Sequence, residues 1–295
     1  MRLRPFSNRS RAWRVLVSAP LLVVVLLVSG CTSRFIYNRL DTLASWYFES
    51  LVALNDGQRT ELRTWLENTL AWHRRSELTR YAAFLSDLSA SAAQPGDHNS
   101  YDAVRKRFEG LVSDLAEKTA PEASQLLVTL SPQQIDELVD NLAEKTREST
   151  EENAEAVAEH EWHPNQIKSV TRQVKRWTGS VTPAQKQIVA TVVNELEPTY
   201  LEWAESQDAW RNALRDALLT RDTQSEGGPP QRVLELLREP DHAWTEAYSQ
   251  KVARNRERYL RLFGELDVSL TAQQRDHLRN ELTKLAQQLH NLAQD

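Results

Sequence analysis

The chain has 295 residues, with 36 lysines and arginines against 41 aspartates and glutamates, and only eight glycines, one cysteine and one methionine. A single cysteine excludes a disulfide framework and any paired-cysteine redox or metal motif. No glycine loop of the phosphate-cradling kind and no GxSxG nucleophile elbow occurs, so the common nucleotide and hydrolase signatures are absent.

Residues 1–30 read as an export leader. Arg2, Arg4, Arg9, Arg11 and Arg14 form a positive segment without an acid, and residues 15–28 are an apolar run interrupted only by Ser18 and Pro20. That run is too short to span a bilayer. It ends at Val28-Ser29-Gly30-Cys31, which resembles the lipobox of bacterial lipoproteins. The resemblance implies cleavage between Gly30 and Cys31, then acylation of Cys31 on sulfur and on its new amino group. Three acyl chains, at about 0.8 kcal/mol per buried methylene, hold a protein at a membrane where one chain binds only reversibly. Thr32 and Ser33 lack the aspartate of an inner-membrane retention signal, so the expected address is the periplasmic face of the outer membrane. Without the leader, 31 bases face 41 acids, a charge of −10. Phosphate binding needs a positive footprint, so nucleic acid is not an expected partner.

The remaining 265 residues, 31–295, read as helical throughout, and their number is close to where one core tends to split into two. Ile36, Leu40, Leu43, Tyr47, Leu51 and Leu54 recur at three and four residues and predict a first helix with one apolar face. Leu62, Trp65, Leu66 and Leu70, then Leu78, Tyr81, Leu85 and Leu88, predict a long second helix, ended by Gln94-Pro95-Gly96-Asp97. Tyr101, Val104, Phe108, Leu111 and Leu115 begin a third, with Pro121 as a kink or stop. Further helices are predicted over about 132–161, 164–177, 183–219, 230–266 and 272–292. No stretch alternates as a strand. The expected fold is an all-α, elongated bundle of about eight helices without a sheet, with a joint between sub-bundles at 225–230, Ser-Glu-Gly-Gly-Pro-Pro.

A repeat appears when helix starts are aligned. LNDGQRTEL from Leu54, LSPQQIDEL from Leu130, VTPAQKQIV from Val181 and LTAQQRDHL from Leu270 share an aliphatic residue, a small polar residue, a glutamine three further on and an aliphatic ninth residue. The pattern is that of a capping box. Asn55, Ser131, Thr182 and Thr271 accept from first-turn amides, while Gln58, Gln134, Gln185 and Gln274 reach back to the cap amide. Pro132 and Pro183 occupy the first helical position, where the missing N–H is harmless. Each cap is worth about 1 kcal/mol, so burial of the apolar stripes must hold the bundle together. Spacings of 76, 51 and 89 residues between the cap positions are unequal, which excludes a solenoid of fixed period.

The same glutamine pattern resembles the LTxxQ signature of small periplasmic stress chaperones related to Spy and CpxP, and that likeness implies a holdase. Residues 37–85 are similar to the opening of an uncharacterised family of proteobacterial lipoproteins with a domain of unknown function. The likeness rests on Tyr37-Asn38 with Leu40-Asp41, Trp46-Tyr47, and Trp72-His73-Arg74 with Glu77-Leu78. It implies an envelope location and helicity, and carries no activity. Read locally, Trp72 and Leu78 are expected to pack inward, with Arg74 and Glu77 paired at the surface.

Catalytic constellations are not found, and an enzyme is not expected. His160 and His163 lie three apart in HEWHP, but Pro164 occupies the place of the second histidine of HExxH. Glu155, Glu159, His160 and His163 remain a minor candidate metal site at a helix end, and no cofactor is implied. Glu148, Glu151, Glu152, Glu155 and Glu159 stack like charges at four-residue spacing, each pair destabilising by about 0.2–0.5 kcal/mol. That predicts a solvated arm or a face for a basic partner. Of the nine tryptophans, Trp65, Trp72, Trp177, Trp203, Trp210 and Trp244 sit in helical patterns and are expected in the core, an aromatic groove being the alternative. Trp46, Tyr47 and Phe48 are read as one face of the first helix, with contact to lipid headgroups as the alternative. The functional expectation is a lipid-anchored helical protein that binds an envelope protein or component. A holdase and a periplasmic metal-binding protein are the other two readings.

Overall fold

The computed structural model describes residues 37–220 and 231–294. Within them the chain is all-helical. The helices are α1 (Leu40–Glu49), α2 (Asp56–Trp72, continuing through a π-helical turn His73–Glu77 into Leu78–Ser91), α3 (His98–Leu127), α4 (Pro132–Ala158), α5 (Trp162–Thr178), α6 (Pro183–Asn194), α7 (Tyr200–Leu219), α8 (Gln231–Arg238), α9 (Glu246–Val268) and α10 (Ala272–Gln294). A 3₁₀ turn, Pro240–Ala243, stands between α8 and α9. Among the described residues there is no strand, and no helix is long and apolar enough to cross a membrane.

Among the described residues ten helices replace the expected eight, because two segments divide at prolines. The run 183–219 stops at Asn194 and restarts at Tyr200 around Pro198, and the run from 230 is interrupted at Pro240. The apolar spacing continues on either side of each break, so periodicity alone hides it. Pro121, expected as a kink or stop, lies inside α3, so it does not stop the helix. The first helix also differs from its prediction. It ends at Glu49, so Leu51 and Leu54 are buried in the loop that follows, while Leu43 faces outward. Ile36 and the 225–230 joint lie outside the described residues.

Three separate clusters hold the bundle. The first joins the first half of α2, the end of α3, α4, α7 and α8 around Leu62, Leu130, Ile135, Leu214, Leu218 and Val233. The second packs the later half of α2 against α10 through Leu78, Leu85, Leu285 and Leu289. The third sets α6 and α9 together through Val189, Val193 and Leu262, with α5 laid over them through Ile167, Val170 and Val174. A fully buried leucine or valine contributes about 1.5–3 kcal/mol, so these clusters outweigh any individual cap.

Candidate functional site

The four repeated motifs build two joints. Asn55, Ser131 and Thr182 each accept from the amide three residues on, and Gln58, Gln134 and Gln185 accept from the cap amide in return. Thr271 and Gln274 exchange the same two bonds. The glutamines then pair across the bundle. Gln58 donates Nε2 to Gln134 Oε1 at 3.1 Å and to the Thr129 carbonyl at 2.9 Å. Gln134 donates to Gln58 Oε1 at 2.8 Å and to the Ala53 carbonyl at 2.6 Å. Gln185 and Gln274 repeat the arrangement on the Ser269 and Ser180 carbonyls.

Each amide therefore donates twice and accepts twice, filling the four positions a glutamine offers. Each accepted carbonyl stands two residues before the partner's cap. The motif thus locks two helix starts face to face, α2 to α4 and α6 to α10. Gln58, Gln185 and Gln274 are buried in doing so.

A second polar centre lies at the π-helical turn of α2. One extra residue in that turn shifts the phase of the helix, so His73 and Glu77 point into the bundle and Trp72 is only half-buried. Glu77 is 2 % exposed and accepts from Arg80 at 3.0 and 3.1 Å, and Arg80 also reaches Asp114. The expected surface pair of Arg74 with Glu77 does not form. Arg74 instead donates to Asn38 Oδ1 at 2.6 Å and lies over the Tyr37 ring.

His73 Nδ1 stands 2.9 Å from the Tyr37 hydroxyl, and its ring meets Tyr81 edge-on. Burial holds the His73 imidazole down to about 4, and it pushes the Tyr37 phenol up to about 12 against the opposing pull of Arg74. At neutral pH the pair is an uncharged hydrogen bond in an apolar nest. The residues YN at 37–38 and WHR at 72–74 are thereby joined twice across 36 positions. Sequence reading missed this contact, since nothing local marks His73 as buried.

A groove of about 570 Å³ opens between α4 and α7, lined by Glu144, Thr146, Arg147, Thr150, Asp208 and Arg211. Arg211 is 4 % exposed, donates to Thr146 Oγ1 at 2.7 Å and pairs with Asp208. Burial draws its pKa down from the usual guanidinium value. A concavity with one desolvated cation suits a polar ligand group.

The metal candidates are not brought together. Glu159 and His160 are exposed, His160 with a φ of 59° in the turn after α4. His163 sets Nε2 3.0 Å from the Leu196 carbonyl and meets Trp162 edge-on. Among the described residues no three His, Cys, Asp or Glu side chains converge on a position for a metal ion. The tryptophans at 65, 162, 177 and 210 pack against the clusters, and Trp210 donates to the Leu236 carbonyl at 2.9 Å. Trp46 differs, being 77 % exposed with Leu43 one turn away at 47 %. Tyr47 and Phe48 of the same helix turn inward to the first cluster. Gly30 and Cys31 lie outside the described residues.

The model of a family described as a family of unknown function (DUF6279) matches residues 50–249. No curated protein and no solved structure matches the chain.

Proposed function

The chain belongs to DUF6279, a family of unknown function, and we propose that it is a lipid-anchored, non-enzymatic protein of the bacterial envelope that binds another envelope component. The observation that carries this reading is the leader ending at Gly30-Cys31, a lipobox-like stop behind an apolar run. Two structural features support it. Leu43 and Trp46 turn an apolar face outward on α1, nine residues past Cys31 at its start, where a lipid interface would receive an indole. The groove at Arg211 offers a place for a polar group of a partner.

The LTxxQ-like glutamines are engaged in the two helix joints, so they lend no surface to a client and the holdase reading draws no support from them. His163, held against Leu196, likewise lends none to a metal site. Labelled palmitate should enter the wild type and be absent from Cys31→Ser, which should leave the membrane fraction. Crosslinking in intact cells from the anchored form should then capture a discrete envelope partner through the Arg211 groove, lost in Arg211→Ala. Palmitate labelling that persists in Cys31→Ser defeats the anchor, and capture unchanged in Arg211→Ala defeats the groove.

A further inference from the structure

The helices on either side of the turn at residues 159–161 carry opposite charge on outward faces. On α5, Lys168, Arg172, Lys175 and Arg176 recur at four, three and one residues, within an arc of about 100° on a helix of 3.6 residues per turn. All four are exposed, and none makes an ion pair among the described residues. The helix contains no acid, and its opposite face, Ile167, Val170 and Val174, is covered by the third cluster. On α4, Glu148, Glu152 and Glu155 recur at four and three residues, and Glu159, four further on, is the residue that ends the helix, all four exposed and without an ion pair among the described residues. Arg147 pairs only with Glu144 and Glu151 of the same helix.

Solvation alone explains either stripe. The two are opposite in sign, and the three- and four-residue steps of any helix face let them be laid together. Glu152, Glu155 and Glu159 advance by three and four residues, and Lys175, Arg172 and Lys168 step back by three and four. Laid antiparallel, Glu152, Glu155 and Glu159 meet Lys175, Arg172 and Lys168 at one-turn spacing, with Glu148 and Arg176 outside the match. Within one chain the stripes do not meet, since no described ion pair joins α4 to α5. We infer that this face pairs with a second copy of the chain, α4 of each protomer against α5 of the other. Each copy then gives and receives the same contact, α4 to α5 and α5 to α4, which is the requirement for a closed two-fold dimer.

An anionic bilayer is the competing occupant of the α5 stripe. The charge of −10 beyond the leader opposes it.

Sedimentation of the purified protein tests the inference. It should be dimeric at about 0.01 M salt and weaken by about tenfold or more toward 1 M, as the screening length contracts from about 30 to about 3 Å. The triple variants Lys168→Glu with Arg172→Glu and Lys175→Glu, and Glu152→Lys with Glu155→Lys and Glu159→Lys, should each be monomeric with helical circular dichroism intact. Mixed in equal amounts they should form a heterodimer, because both contacts become complementary again. A wild type monomeric at low salt overturns the inference, as does a mixture that stays apart while both variants are folded. Binding of the wild type to phosphatidylglycerol vesicles as a monomer, abolished by the α5 reversal, overturns it in favour of the lipid. Should either variant lose its helical signal, a wild-type dimer insensitive to salt overturns it equally.

Discussion

Gln185 and Gln274, 89 residues apart, hold each other through two hydrogen bonds between their side-chain amides, of 2.9 and 2.8 Å, while each caps its own helix. A capping box accepts glutamate and glutamine equally, because only the acceptor oxygen reaches the cap amide. The joint between helices needs the two donors as well. This explains why all four motifs carry glutamine.

The prediction is that Gln274→Glu keeps the cap and breaks the joint. The Ser180 carbonyl and Gln185 Oε1 each lose one of two donors, keeping Thr178 Oγ1 and the Thr182 amide. The new carboxylate oxygen faces both of them in a buried setting without a hydrogen-bond donor, and a buried polar group left without its partner costs about 1–3 kcal/mol. Urea unfolding should show a loss of about 3 kcal/mol at neutral pH, against about 1 kcal/mol for Thr271→Ala, which removes only the cap acceptor. A double cycle with Gln185→Ala should return a coupling of about 0.5–3 kcal/mol. Equal losses in Gln274→Glu and Thr271→Ala would reduce the motif to a helix start.

Much of the fold is legible in the sequence because helix starts are local events. Pro132, Pro183 and the four cap residues mark α2, α4, α6 and α10 from within nine residues. What is not legible is which start meets which, since Gln58 with Gln134 and Gln185 with Gln274 are chosen by packing across 76 and 89 positions. The π-helical turn is a sharper case. A spacing of 3.6 places Trp72 inward and Glu77 outward, and one inserted residue reverses that assignment and buries His73. No side-chain pattern announces such an insertion, so the Tyr37–His73 centre appears only in three dimensions.

His73 should make the protein sensitive to mild acid. The native chain keeps the imidazole neutral down to about pH 4, whereas the unfolded chain takes up its proton near the ordinary 6.5. Between those values the unfolded state binds more protons, so stability is whole above pH 6.5 and declines as pH falls to 4. The full effect is about 3 kcal/mol. His73→Gln, which does not titrate, should flatten unfolding free energy over that window while losing about 1 kcal/mol at pH 7. An unchanged slope in the variant would show that other groups produce it.

Glu197 ties the α6–α7 linker to α9. Its carboxylate accepts from Arg254 at 2.8 and 2.7 Å and from Arg258 at 2.7 Å, and Asn255 bonds both its backbone amide and its carbonyl. The Arg254 and Arg258 guanidiniums hold the carboxyl down to about 2. A depressed carboxylate stabilises the fold above its ordinary range and loses that contribution as pH drops toward 2. Glu197→Gln should lower stability by about 1 kcal/mol at pH 7, screened because the site is partly open to water, and by nothing at pH 2. Asn255→Ala, which strips bonds from the backbone, should cost about 1–2 kcal/mol with no such pH dependence. Matching pH profiles for the two variants would contradict these separate roles.

Pro121 predicts an effect of the opposite sign. It stands within α3, where its ring nitrogen cannot donate to the Glu117 carbonyl four residues earlier. A proline inside a helix costs about 3 kcal/mol relative to alanine, and α3 continues through it because Ala120, Leu126 and Leu127 are buried on either side. Pro121→Ala restores the missing bond, while loosening the unfolded chain by about 0.4–1 kcal/mol. The first term is larger, so the variant should be more stable by about 2 kcal/mol, read as a rise in Tm of about 2–4 °C per kcal/mol. A fall in Tm would mean that the bend imposed by the ring, rather than helix continuity, is what fits Ala120 and Leu127 into their neighbours.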